Sequence, residues 1–234
     1  MIYALLFGSV AGAGFLTVWA TIELGLPVLG APFLWAAVAF GIAALAYGGV
    51  GPRVFGKRSD GTVPLWSYVL TGPFLVVGRA GLRAFNATGL ETPWSHVDDN
   101  LWLGRRPQGP DGASFAALAP VAVVDMTAEV ARSRGLNGAE AYLALPTLDN
   151  ASPSALQLDA GVAFIEAHRA SGPVYVHCAL GNGRAATMTA AWLLATERAS
   201  SVDEAEAHLR GVRPSVGLSR AQRRGLDRWW SQRS

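Results

Sequence analysis

The run Val174-Tyr175-Val176-His177-Cys178-Ala179-Leu180-Gly181-Asn182-Gly183-Arg184 joins an apolar, β-branched stretch to a short glycine-containing loop and an arginine. Cys178 is the only cysteine in the chain. A thiolate nucleophile needs positive potential, and loop N–H groups turned inward ahead of a helix supply it. The same N–H groups would hold phosphate oxygens, with Arg184 adding a two-pronged guanidinium contact. Gly181 and Gly183 give the backbone freedom that a tight anion loop demands. A structural cysteine needs neither these glycines nor an arginine six residues on. Cys178 is therefore expected to attack phosphorus, with Ala179, Leu180, Gly181, Asn182, Gly183 and Arg184 cradling the phosphate.

Set between a strand and a helix, this Cys-x5-Arg spacing resembles the signature of the cysteine-dependent protein tyrosine phosphatase superfamily. Asn100-Leu101-Trp102-Leu103-Gly104-Arg105 looks like the first strand of its dual-specificity branch. Arg213-Pro214-Ser215-Val216-Gly217-Leu218, followed by Gln222, looks like the segment before that branch's last helix. The likeness covers roughly residues 97–230. It implies an α/β fold, a mostly parallel central sheet flanked by helices, and a thiophosphate intermediate formed without metal or cofactor. It also implies that His177 orients the loop and helps keep the thiolate.

The reaction needs an acid for the departing oxygen and then a base for water. Leu145-Pro146-Thr147-Leu148-Asp149-Asn150 resembles the branch's general-acid loop, which assigns that role to Asp149. Asp125, at a strand end, fits a capping or loop-fixing role, and Asp159 is expected on a solvated helix face. One position departs from the family pattern. Where a Ser or Thr usually follows the loop arginine and stabilises the leaving thiolate, this chain has Ala185, which leaves Thr187 or a water to substitute.

These groups need a scaffold, and strand and helix signals alternate over residues 94–234. Residues 100–104, 121–124, 142–145 and 174–177 read as strands. Ser152-Pro153 predicts a helix start, with Leu158, Val162 and Ile165 on one face and Gly172-Pro173 as the stop. A further helix should leave the loop over residues 184–196. Two capping boxes, Ser201 to Glu204 (closed by Gly211) and Ser219 to Gln222, predict the last helices. In the final one Leu226, Trp229 and Trp230 share a face and read as core anchors.

Residues 1–52 carry a single charged side chain, Glu23, so the mean hydropathy of +0.27 averages an apolar front and an ordinary back. Residues 2–22 and 33–50 each approach the length of a bilayer span, and residues 25–32 read as the turn between them. Their Ala and Gly content suits close helix packing. The first stretch lacks the basic n-region of a signal peptide and is too apolar for too long. Glu23 is expected at the interface. Arg53, Lys57 and Arg58 follow the second span while the turn has no positive residue, which predicts both ends on the cytoplasmic side. The expected localisation is a multi-pass protein of a bacterial inner membrane. Residues 65–85, containing Pro73 and ending near Arg79 and Arg83, read as an interfacial or re-entrant segment; a third short span is the competing reading.

The expected domains are thus a transmembrane hairpin (1–52), a basic linker with an interfacial segment (53–93) and a catalytic domain (94–234). A net charge of +2 and a pI near 9.0, concentrated beside the spans, indicate anionic headgroups rather than nucleic acid. A lone cysteine excludes an intramolecular disulfide or a multi-cysteine zinc site and fits a reducing compartment. The expected partners are the bilayer and a phosphorylated lipid or protein substrate. The loop's uncharged Ala179 and Leu180 argue against inositol polyphosphates.

Overall fold

The computed structural model describes residues 2–89, 91–108, 111, 115 and 117–233. The chain forms two compact units, one of Met1–Lys57 with Val63–Thr88, the other of Arg58–Thr62 with Gly89–Ser234.

The first unit is helical. Helices α1 (Ile2–Glu23) and α2 (Pro27–Leu45) pack through small side chains: a Cβ on Gly14 would lie 2.9 Å from the Ala37 Cβ, and Ala11, Ala37, Ala39 and Ala43 are buried. Ile2–Glu23 and Pro27–Val50 are long and apolar enough to cross a membrane. The second helix starts at Pro27, not near Phe33. Pro27 occupies the first helical turn, where its missing N–H is no loss, and the turn shrinks to Leu24–Leu26 with Gly25 at φ +72°. Residues 65–85, read as an interfacial or re-entrant segment, lie in one continuous helix, α3 (Leu65–Ala87). Pro73 inside it leaves the Val69 carbonyl without its helical donor, and the Trp35 indole N–H fills that place at 2.5 Å. Phe74 then packs among Phe7, Phe40 and Phe55.

The second unit is a five-stranded sheet flanked by helices, as the resemblance implies. Its strands are β1 (Trp94–Asp98), β2 (Leu101–Arg105), β3 (Ala122–Thr127), β4 (Ala141–Thr147) and β5 (Val174–Cys178), in the order β1-β2-β5-β3-β4. β1 runs antiparallel to β2; the other pairings are parallel. β3 and β5 are buried along their whole length, which explains their largely apolar sequences, with Asp125, Thr127 and His177 the polar exceptions. The helices are α4 (Ala155–Arg169), α5 (Arg184–Ala195), α6 (Val202–Val212) and α7 (Arg220–Ser231). Residues 184–194 of α5 are all buried, making it the central helix.

The helices differ from expectation in three places. Ser154, not Ser152, caps α4, because its hydroxyl and the Gln157 side chain close a reciprocal box. Ser201 caps α6, but the Glu204 carboxylate serves Ser200, and the helix runs through Gly211 to Val212. Asp159 is engaged rather than merely solvated: it accepts from the Trp229 indole at 2.8 Å and pairs with Arg233, joining α4 to the end of α7. The Ser219 box is complete, and Leu226 and Trp229 are core with Trp230 half-buried beside them.

Candidate active site

β5 delivers Cys178, buried, to the carboxyl edge of the parallel strands, where open α/β sheets place their sites. The loop bends back so that the Gly181 N–H donates to the Cys178 Sγ at 3.1 Å. Gly181 sits at φ +84°, and a Cβ there would fall 2.5 Å from the Gly104 carbonyl carbon; only glycine fits on both counts.

The loop's carbonyls are held by groups outside it, which leaves its N–H groups free for the inner side, as the Gly181 N–H on Cys178 Sγ shows. The Cys178 carbonyl accepts from the Arg106 N–H at 2.7 Å, that of Asn182 from the Gly217 N–H at 3.1 Å, and that of Gly183 from the Thr187 hydroxyl at 2.9 Å. Arg213, buried, does most of this fastening. Its guanidinium donates to the Leu180 carbonyl (2.9 Å), the Asn182 Oδ1 (3.0 Å) and the Thr92 carbonyl (3.0 Å), and pairs with Glu91 at 2.9 Å. Burial outweighs these partners and holds the Arg213 guanidinium somewhat below its ordinary pKa.

Arg184 opens α5 with its side chain buried. Its Nη1–Nη2 edge is occupied by Glu129, at 2.9 and 3.1 Å, and Nη1 also donates to the Thr147 carbonyl at 3.0 Å. The Nε–Nη2 edge is left to face a tetrahedral oxyanion, which it can grip with two parallel bonds. Burial raises the Glu129 carboxyl, but Arg184 more than offsets this and holds it below its ordinary range. Arg184 itself, lowered by burial and raised more by Glu129, Cys178 and Asp149, stays charged far above any working pH.

Asp149 lies with Oδ1 3.4 Å from the Arg184 Nε and its side chain 61% exposed, at the mouth of the same pocket. It can exchange protons with solvent and with a departing oxygen. His177 is fully buried, with Nε2 3.9 Å from the Asp125 Oδ1. Asp125 fixes the β3 exit, accepting from the Thr127 N–H (2.8 Å) and hydroxyl (2.7 Å) and from the Tyr142 hydroxyl. Burial and the Asp125 charge push the Tyr142 phenol far up, so it remains an O–H donor. The Thr187 hydroxyl proton is committed to the Gly183 carbonyl, and Ala185 is fully buried.

The structure thus brings Cys178, Arg184, Asp149 and the loop together and places His177 and Thr187 behind them. Two residues of the site escaped sequence reasoning. Glu129 had a usable signal, an acid just past the end of a central parallel strand. Arg213 was visible only as part of the segment before the last helix, and its side chain reaches back 31 and 33 residues in sequence to Asn182 and Leu180.

Residues 101–232 match the family described as dual specificity phosphatase, catalytic domain. The chain is 28% identical over 140 residues to a phosphatidylglycerophosphate phosphatase, PTPMT2, of Arabidopsis thaliana, covering 57% of this chain and 61% of that protein. It is 30% identical over 128 residues to the dual specificity protein phosphatase Mpk3 of Drosophila melanogaster, covering 54% of this chain and 31% of the relative. The chain therefore spans less than two thirds of either. Among solved structures it resembles PTPMT1 in complex with PI(5)P, with a TM-score of 0.54 at 23% identity over 60% of this chain and 96% of that one. It also resembles the active form of Tk-PTP, with a TM-score of 0.52 at 25% identity over 61% of this chain and 99% of that one. The first of these likenesses carries the fold alone.

Proposed function

This chain belongs to the dual specificity phosphatase family, and from that premise we propose that it is a membrane-anchored, cysteine-dependent phosphomonoesterase acting on a lipid phosphate. The observation that carries the reading is Cys178 Sγ seated under the Gly181 N–H, with Arg184 held on its Nη1–Nη2 edge by Glu129 so that its Nε side, next to Asp149, remains for a phosphate.

In this reaction the Cys178 thiolate attacks phosphorus and forms an S–P bond as the P–O bond to the alcohol breaks. Asp149 gives its proton to the departing oxygen. The loop N–H groups and Arg184 hold the equatorial oxygens, whose charge they are already arranged to meet. A water, deprotonated by Asp149, then attacks phosphorus; inorganic phosphate leaves and the thiolate returns. For Arg184 to take two phosphate oxygens, the Asp149 Oδ1 has to move off Nε, which its exposed position allows. His177 holds the loop from behind, oriented by Asp125.

Three features support a lipid substrate. Two helices long and apolar enough to cross a membrane precede the site. The loop carries Ala179 and Leu180 in place of basic side chains, which suits a single phosphomonoester. A relative bears the name phosphatidylglycerophosphate phosphatase. In this reading α1 and α2 form a membrane hairpin with both ends on the cytoplasmic side.

The test compares hydrolysis by the full chain of phosphatidylglycerophosphate in mixed micelles, a phosphopeptide and an aryl phosphate, with Cys178→Ser as control. Preference for the micellar lipid is expected. Preference for the phosphopeptide would assign the activity of a protein phosphatase, the reading favoured by the likeness to Mpk3. Binding of all three without hydrolysis would make the domain a phosphate-binding module.

A further inference from the structure

Arg220, Arg224 and Arg228 stand at i, i+4 and i+8 on the exposed face of α7, one above another along the helix. Among the described residues none of the three pairs with a carboxylate. Arg224 and Arg228 instead donate from Nε to the carbonyls of Arg220 and Arg224, each at 3.2 Å. The neighbouring arginines differ: Arg223 pairs with Asp203 and Glu206, and Arg233 with Asp159. Asp227, on the flank of the row, acts on Arg223. Like charges at i, i+4 destabilise a helix by a few tenths of a kcal/mol each. An anionic surface meeting the row would relieve this repulsion, part of which Asp227, three residues from Arg224, offsets.

The row also begins at the mouth of the site. Ser219, one residue before it, donates its hydroxyl to the Asn150 carbonyl at 2.8 Å, next to Asp149. Gln222, in the same turn, packs against Gly183 of the phosphate loop. We propose that the Arg220–Arg224–Arg228 face of α7 docks on the anionic headgroups of the bilayer and so presents the catalytic mouth to lipid phosphates at that surface. The inference rests on the membrane-anchored reading and deepens it. A bilayer is favoured over a peptide or nucleic acid because the row is straight, starts at the mouth, and belongs to a chain with two apolar helices of membrane-spanning length.

An arginine close to an anionic leaflet strengthens attachment about fivefold, so three give on the order of a hundredfold. The full chain carrying Cys178→Ser and Ser231→Cys, labelled at position 231 with NBD, would be reconstituted in nanodiscs. A blue shift and gain in emission are expected with about a third phosphatidylglycerol and not with phosphatidylcholine alone. Both should vanish in roughly 0.5 M NaCl, where screening shortens to a few ångströms. Replacing all three arginines by Gln should abolish the shift, and replacing them by Lys should preserve it, with circular dichroism checking that each variant folds. Equal emission in both lipids, or a shift that survives the Gln variant, overturns the proposal. So does a shift produced by an acidic peptide or an oligonucleotide but not by lipid. Docking without lipid hydrolysis would sink the phosphatase reading alone; hydrolysis without docking would sink this inference alone.

Discussion

Glu129 determines which edge of Arg184 is available, and that makes it a positioning residue for the proposed chemistry. Glu129→Gln keeps the shape but removes the charge, so kcat/KM should fall about a hundredfold, as when one oxyanion donor is lost. The same change should appear in stability. The carboxyl is held below its ordinary value of 4.5, so its charge contributes fully above that pH and is lost as pH falls through the lower folded value. Removing one partner of a mostly buried pair costs about 3 kcal/mol. Thermal melts from pH 7 to pH 3 should show the Gln variant less stable at neutrality and flatter on the acid side; parallel curves would refute the assignment. Ala185 raises the opposite possibility. A hydroxyl there could donate to the leaving thiolate, and such a bond to a charged group is worth roughly 1.5–3 kcal/mol, tenfold or more in rate. Ala185→Ser should therefore speed breakdown of the phosphoenzyme, read as a smaller burst and a higher steady rate in rapid-quench experiments. Thr187 does not fill this role as the structure stands, because its proton goes to Gly183. Cys178 and Arg184 were legible because their spacing is local, and Asp149 only because its loop resembles one in the family. Glu129 and Arg213 were not, since each acts across a long sequence separation.

The elements make the phosphate loop by holding its carbonyls, and the loop's fit against β2 is the tightest point. Gly181→Ala would set a side chain 2.5 Å from the Gly104 carbonyl carbon while forcing φ +84° on a residue that avoids it. Neighbouring backbone cannot yield, so the loop must tilt. Phosphate or vanadate binding should weaken at least a hundredfold, and the melt should drop by about 2 kcal/mol or more, since overpacking adds to the backbone strain. Unchanged vanadate affinity would show that the loop has slack. At this scale the central strands, α4, α5 and the Ser219 box could be read from β-branched runs, helical spacing and capping residues. The failures share one cause: local signals were ambiguous and tertiary contacts chose between them. Two serines flank Pro153, and the one that reaches Gln157 caps α4. Pro32 lay in the predicted turn, yet α2 runs through it, and α3 runs through Pro73 with Trp35 supplying the missing donor. The edge strand β1 has no alternation strong enough to show itself before the sheet forms.

For the molecule as a whole, the proposed membrane-anchored reading makes the side that holds the active site depend on α3. Its apolar part, residues 65–77, rises only about 20 Å along a helix. A hydrocarbon core of about 30 Å needs more. Basic residues stand on both sides of it, with Arg53, Lys57 and Arg58 before and exposed Arg79 and Arg83 in its last turns. Ser67, Thr71 and Leu75 face inward within its own unit, whereas Val69, Leu70, Val76 and Val77 face outward, as a helix partly immersed beside α2 would have them. In the membrane-anchored reading proposed above, α3 then enters the bilayer without crossing it, and two spans return the chain to its starting side. Cysteines introduced by Leu26→Cys and Arg134→Cys in a Cys178→Ser background test this, both positions being exposed. In sealed spheroplasts a membrane-impermeant maleimide should label position 26 at once and position 134 only after lysis. Immediate labelling of both would mean that α3 is a third span and that the catalytic unit works on the opposite face. The lipid phosphates within its reach would then be those of the outer leaflet.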